Sequence, residues 1–227
     1  ENLGRLFALN ALGSTAGAWI AGFVLIDKVG VLGGVVLLAA LNWIVGGCLL
    51  STLVSRRLKP ILAAGLGGVL LLAGIPSPEA FGERLYRQLE PEARLLFFKE
   101  GTAATSALFE RPDGEKVLYL NGIPEVQTDL QSLRTFKMMG ALPCILHGDP
   151  RRALVITFGA GITTGTVARF SRRVDCVDLV REVRDISPYF EEETGRVLDR
   201  ENVRLVINDA RHHLMTTSQA YDVIVAD

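Results

Sequence analysis

Hydrophobic positions fall into two regimes along this chain. Leu6–Ile26 and Val29–Val54 are runs of 21 and 26 residues without a charge. A bilayer core takes about 20 apolar residues of helix, so both runs predict membrane-spanning helices. The short Asp27-Lys28 connection predicts a helical hairpin between them. A third uncharged run, Pro60–Ile75, has only 16 residues. A signal peptide is excluded, because no short apolar core ends in a small-residue cleavage site and a second long run follows.

After residue 78 the runs become short. "LLFFKEG", "TSALFER" and "KVLYLNG" alternate or are briefly apolar, and Asp113-Gly114 between the last two is a tight-turn signal. They predict a small antiparallel sheet over about 95–122. Asp129–Pro143 then places Leu130, Leu133, Phe136 and Met139 at helical spacing, a stripe suited to core packing. From Ala153 the rhythm becomes strand and helix in turn. Strands are expected at 153–158, 174–180, 203–207 and 221–227, and helices at 162–171 and 181–193. That alternation predicts a parallel, doubly wound sheet. The chain therefore divides into a transmembrane region (1–78), a linker (79–94), a small β-domain with its helix (95–143) and an α/β domain (150–227). The last is expected to be C-terminally incomplete, since the sequence begins at Glu1 and stops at Asp227 within an apolar run.

Charge sharpens the contrast. Residues 1–78 carry only Glu1, Arg5, Asp27, Lys28, Arg56, Arg57 and Lys59, while the net charge of the whole is −1. Nucleic acid is not an expected partner, because its binders usually carry a basic face. The lipid bilayer is. No Asp, Glu or His lies at mid-membrane depth, which argues against an ion-coupled transporter. Asn10 and Asn42 fit interhelical hydrogen bonds, and Gly13 and Gly17 fit close packing among these helices, with a homodimer as the alternative. The Arg56-Arg57-Lys59 cluster prefers the cytoplasm. If the third segment is re-entrant, the soluble part of this multi-pass protein of the cell membrane returns to the cytoplasm, the side expected for it. Cys48, Cys144 and Cys176 form no CxxC pair and read as buried free thiols, with no metal site expected. His212-His213 reads as a solvated helix face, and His147 fits no catalytic pattern.

The chemistry gathers at the strand ends. Ligands of open α/β sheets sit beyond the carboxyl ends of the strands. Here those ends carry Gly159-Ala160-Gly161, Asp178, Asn208-Asp209 and Asp227. A phosphate-binding loop would need Gly-Lys-Ser/Thr, and no lysine is near. The dinucleotide pattern also fails, with Thr164 at the third glycine's place and Gly165 one position late. Asp178 lies 19 residues after Gly159 and can accept from both hydroxyls of a ribose. Asp209 stands where an acid often recognises a base. The ligand expected is a nucleoside such as S-adenosylmethionine.

The segments "LYLNG", "KMMGALP", "ALVITFGAG", "VDCVDL", "LVINDA" and "YDVIVAD" resemble the spermidine synthase (polyamine aminopropyltransferase) family, especially its membrane-anchored bacterial members. The resemblance implies a Rossmann-like, methyltransferase-type domain behind a small β-domain. It implies aminopropyl transfer from decarboxylated S-adenosylmethionine, a co-substrate rather than a tightly bound cofactor, to a small amine acceptor. Asp178 matches the ribose-binding acid, and Asp209-Ala210 the pair that contacts adenine. Asp227 matches the first acid of a D-x-x-D-P motif whose proton acceptor is expected three residues further on. The amine-holding positions differ: Ala104, Thr135, Phe136, Lys137 and Ala160 stand where the family has polar or acidic residues. The alternatives are a degenerate adenosyl-binding membrane protein and a methyltransferase acting on another acceptor.

Overall fold

The computed structural model describes residues 2–53, 65 and 77–227 of the chain. Apart from Gly65, the third apolar run, Pro60–Ile75, lies outside the described residues, as does the Arg56-Arg57-Lys59 cluster. The chain forms two compact units, Glu1–Phe81 and Gly82–Asp227.

In the first unit, α1 (Asn2–Ile20) continues through a π-helical turn (Ala21–Leu25) into α2 (Ile26–Leu53). Leu3–Gly46 is one apolar helical run, long enough to cross a bilayer and buried nowhere along its most apolar window. The hairpin expected at Asp27-Lys28 is not formed. Both residues stay helical and the break falls at Gly30, with φ 69° and ψ 178°. Glycine takes that conformation because it has no Cβ to clash. Residues 3–20 of α1 are exposed on every face, so no helix lies along it among the described residues. Among the described residues a Cβ on Gly13 or Gly17 would meet nothing within 4 Å. Asn42 likewise bonds within its own helix, its amide donating to the Leu38 carbonyl at 3.0 Å.

In the second unit an antiparallel sheet comes first, in the order β1 (Arg94–Glu100), β2 (Thr105–Glu110), β3 (Lys116–Leu120) and β4 (Ile123–Gln127). The fourth strand corrects the expected end at residue 122. Pro124 hides it in sequence, because proline cannot donate to a ladder. The structure accommodates Pro124 on the sheet's edge, beside a register shift at Leu118/Tyr119. Both faces of this sheet are covered, which is why β2 is buried throughout its centre. On one face Tyr86, Phe109 and Tyr119 form an aromatic cluster, with Tyr86 and Tyr119 centroids 5.2 Å apart. Tyr86 ends α3 (Pro78–Tyr86). On the other face Leu108, Leu118 and Val126 pack with Ala160, Ile162, Ile186 and Phe190 of the α/β part.

Helix α4 (Leu130–His147) is capped by Asp129, whose carboxylate accepts from the amides of Gln131 and Ser132. It runs past Pro143, the expected end, for another turn. The buried Cys144 anchors that turn, and Gly148, at φ 95°, closes it. The parallel sheet follows, in the order β7 (Val203–Ile207), β6 (Arg173–Asp178), β5 (Arg152–Ile156) and β8 (Val223–Ala226). Its order reverses at β5, so α5 (Ile162–Phe170) starts at the switch point. The single helix expected at 181–193 is instead α6 (Val183–Ile186), a 3-10 turn (Ser187–Phe190) and α7 (Glu191–Thr194). Pro188, which lacks an N–H and restricts the residue before it, disrupts it. Last comes α8 (Ala210–Thr216). His213 on α8 is buried rather than solvated, paired with the Tyr221 hydroxyl at 3.0 Å; His212 is exposed as expected.

One polar network ties the segment after α3 to the sheet. Glu90, 7% exposed, accepts two bonds from Arg111, at 2.8 and 3.1 Å, and one from the Tyr119 hydroxyl at 2.8 Å. The Arg111 bond holds the Glu90 pKa below the usual carboxylate value against the opposing effect of burial. Burial, and then Glu90 itself, push the Tyr119 pKa up to about 12. A depressed carboxylate pKa contributes stability above its unfolded value and loses it as pH falls through the folded one. Glu90→Gln is therefore expected to cost about 2 kcal/mol at pH 7, less than for a fully buried pair because Arg111 is partly exposed. Denaturant titrations should show the gap to wild type closing as pH drops below roughly 4.5. A pH-independent gap would show that charge is not what Glu90 contributes.

Candidate functional site

The residues between β5 and α5 form a strained turn at the switch point. Thr157, Gly159 and Gly161 have φ of 77°, 54° and 84°. A Cβ on Gly161 would fall 2.6 Å from the Phe158 ring, so this position requires glycine for space as well as for φ. Gly165, the glycine one place late, serves packing. A Cβ there would meet the Thr194 carbonyl oxygen at 2.8 Å, so its absence lets α5 approach the end of α7.

Asp178 ends β6 and is 6% exposed. Its Oδ2 accepts from the amides of Phe158 at 2.7 Å and Gly159 at 3.2 Å, and its Oδ1 from Val180 at 2.7 Å. The carboxylate therefore binds the turn itself. Three of its roughly four lone-pair positions are occupied, leaving little for a further donor. Asp209 is the N-cap of α8, accepting from the His212 amide at 2.8 Å, and Ala210 is that helix's first residue.

A cavity of about 60 Å³ lies between β4, α4 and the turn. Leu120, Val126, Phe136, Phe158, Ala160 and Ile162 give it an apolar wall, and Glu125, Thr157, Gly159 and Asp227 complete it. Asp227 accepts from the Thr163 hydroxyl at 2.6 Å. Partial burial raises its pKa, and the Thr163 bond opposes that rise. Of the expected site residues, the cavity thus unites Gly159, Ala160 and Asp227, with Gly161 at the end of the same turn. Asp178, Asp209 and Ala210 lie outside its wall. Glu125 and Thr157 were not anticipated from sequence. Of the atypical amine positions, Phe136 and Ala160 line the cavity, whereas Ala104, Thr135 and Lys137 do not. Nucleoside-sized sites usually need hundreds of Å³, so this cavity alone matches a smaller group. Among the described residues no group of three or more His, Cys, Asp or Glu side chains could hold a metal.

Residues 133–227, from within α4 to the end of β8, match the family model of the spermine/spermidine synthase domain. The likeness to that family thus rests on the α/β part of the chain. A polyamine aminopropyltransferase of Yersinia pestis (strain Pestoides F) is 25% identical to this chain over 137 residues, covering 58% of it and 46% of the relative. One from Yersinia pseudotuberculosis serotype O:1b is 25% identical over 124 residues, covering 53% and 41%. The chain therefore spans less than half the length of these relatives. Spermidine synthase from Thermotoga maritima shares the fold with a TM-score of 0.53 at 21% identity, over 59% of this chain and 47% of that one. A spermidine synthase in complex with the transition-state analogue AdoDATO does so with a TM-score of 0.54 at 22% identity, over the same shares.

Thr157 is the strained residue of the turn, a β-branched side chain at positive φ and exposed. Thr157→Gly removes strain of about 1–3 kcal/mol but adds disorder to the unfolded chain. The expected net gain is roughly 1 kcal/mol in equilibrium unfolding. A loss of stability would mean that the Thr157 side chain holds the turn.

Proposed function

We propose that this chain is the membrane-anchored, adenosyl-binding part of an aminopropyltransferase that uses decarboxylated S-adenosylmethionine and an amine acceptor. The observation that carries the reading is the glycine turn at the switch point, fixed by Asp178 and facing a cavity whose charged lining residues, among those described, are Glu125 and Asp227. The nucleoside is proposed to lie along the carboxyl ends of β5, β6 and β7, past Gly159, Ala160 and Gly161. Asp178 and Asp209-Ala210 bound its ribose and adenine side. The small cavity then takes the aminopropyl chain and the reacting end of the acceptor.

In the reaction a neutral amine nitrogen attacks the propyl carbon bonded to the sulfonium. The new C–N bond forms as the C–S bond breaks, its electrons leave with methylthioadenosine, and the amine proton passes to a carboxylate. Holding both partners in line supplies most of the acceleration. Burying an unpaired ammonium is costly, so the two carboxylates favour one cationic end of an acceptor. The apolar wall at Phe136 and Ala160 favours an alkyl stem beside it, and makes the amine site atypical for a short diamine.

The apolar run Leu3–Gly46 is proposed to anchor the protein in the cell membrane, with the remainder cytoplasmic. At 1.5 Å per residue it is roughly 66 Å long, about twice a bilayer core. The backbone breaks within it at Gly30. Alkaline carbonate washing should leave the protein with the membranes; release into the supernatant would end this part of the proposal.

Titration calorimetry of the detergent-solubilised chain tests the site. Decarboxylated S-adenosylmethionine and methylthioadenosine are both expected to bind. Asp178→Ala should weaken both by about tenfold or more, since it removes charge-assisted bonds of about 1.5–3 kcal/mol each from the turn. Affinities unchanged by this substitution would place the nucleoside elsewhere.

A further inference from the structure

The amino ends of the parallel strands, opposite the glycine turn, surround a second and larger cavity of about 370 Å³. Its wall includes Arg152, Arg173, Asp175, Glu201, Arg204 and Gln219. Arg152 opens β5 and Arg173 opens β6, and the two are paired in register. Side chains paired in this way lie on the same face of a sheet, and like charges directly opposite each other are destabilising.

Nearby acids do not relieve that repulsion. Asp175 has one oxygen on Arg204 at 2.8 Å and the other on the Tyr221 hydroxyl at 2.9 Å. Asp222 has an oxygen committed to the backbone amides of Arg151 and Arg152. Among the described residues, neither Arg152 nor Arg173 is in an ion pair, and neither is Glu201. Two arginines paired in register and one glutamate thus share the cavity wall without an ion pair among the described residues.

We propose that this cavity binds a small phosphate-type oxyanion, held between Arg152 and Arg173. Guanidinium groups present planar, paired N–H donors that match such oxygens, and two in register can grip one anion from two directions. The volume suits a phosphate ester or pyrophosphate better than a lone small ion. Glu201 opposes an anion there and so weakens binding without being needed for it. The site is remote from the glycine turn and does not rest on the adenosyl reading.

The probe is inorganic pyrophosphate, titrated calorimetrically into the full chain in a neutral detergent at low ionic strength. Saturable binding is expected, with a matching rise in melting temperature, since a ligand that binds only the folded state stabilises it. Arg152→Gln and Arg173→Gln should each weaken binding by about tenfold or more. Glu201→Gln should tighten it by about two- to fivefold. This opposite sign cannot come from a general loss of folding. Failure to bind at millimolar pyrophosphate would overturn the proposal. So would arginine variants that bind as wild type does, or a Glu201→Gln variant that binds more weakly.

Discussion

Between β5 and α5 the backbone takes a left-handed conformation at three positions out of five, one of them a threonine, and the Asp178 carboxylate holds it there. The two amides it binds face away from the sheet ladder and have no partner in regular structure. An unpaired buried amide costs about as much as a lost hydrogen bond. Asp178 removes that cost and fixes the end of β6 through Val180 at the same time. The spacing between two neighbouring strand ends, which any ligand lying across them must match, thus depends on one side chain. An acid at this point is structural before it is a ligand contact.

The antiparallel sheet depends on that turn in the other direction. Leu118 and Val126 reach the α/β part by packing against Ala160 and Ile162, which follow directly from the glycines. A bulkier or charged residue at 160 would meet this apolar contact from β3 and β4. Lys116 strengthens the junction with an ion pair to Glu193 at 2.9 Å, both side chains nearly buried. The small cavity exists because the two sheets meet at the turn and not along their lengths.

Much of this was legible in sequence where period and composition agreed. The four parallel strands appear where continuous β-branched runs placed them, and their polar tips lie at one edge of the sheet. Where reading failed, a local rule was overridden or overlooked. Asn121-Gly122 is a strong two-residue hairpin signal. Read as such, it places β4 at 123–127 and brings Glu125 to the cavity despite Pro124. The helix expected at 181–193 yielded to Pro188, a breaker visible in the sequence. Pro143, an equally visible one, was overridden because tertiary packing held Cys144 in place. Thr157 at positive φ has no sequence signature at all. The carboxylate of Asp178 also binds the backbone of the turn, a contact that spacing alone does not predict.

The aromatic cover on the outer face of the antiparallel sheet bears on how the protein can be divided. Tyr86 and Glu90 precede β1, yet they close over Phe109, Tyr119 and Arg111. A fragment begun at the first strand would expose that aromatic patch and leave Arg111 with the longer pair to Glu115, at 3.5 Å, in place of Glu90. The two strands flanking the loss, β2 and β3, would then have one wet face on side chains built for a dry one. A cut that preserves the sheet must fall upstream of Tyr86. Tyr86 and Glu90, although they precede the first strand, belong with the antiparallel sheet in any division of the chain.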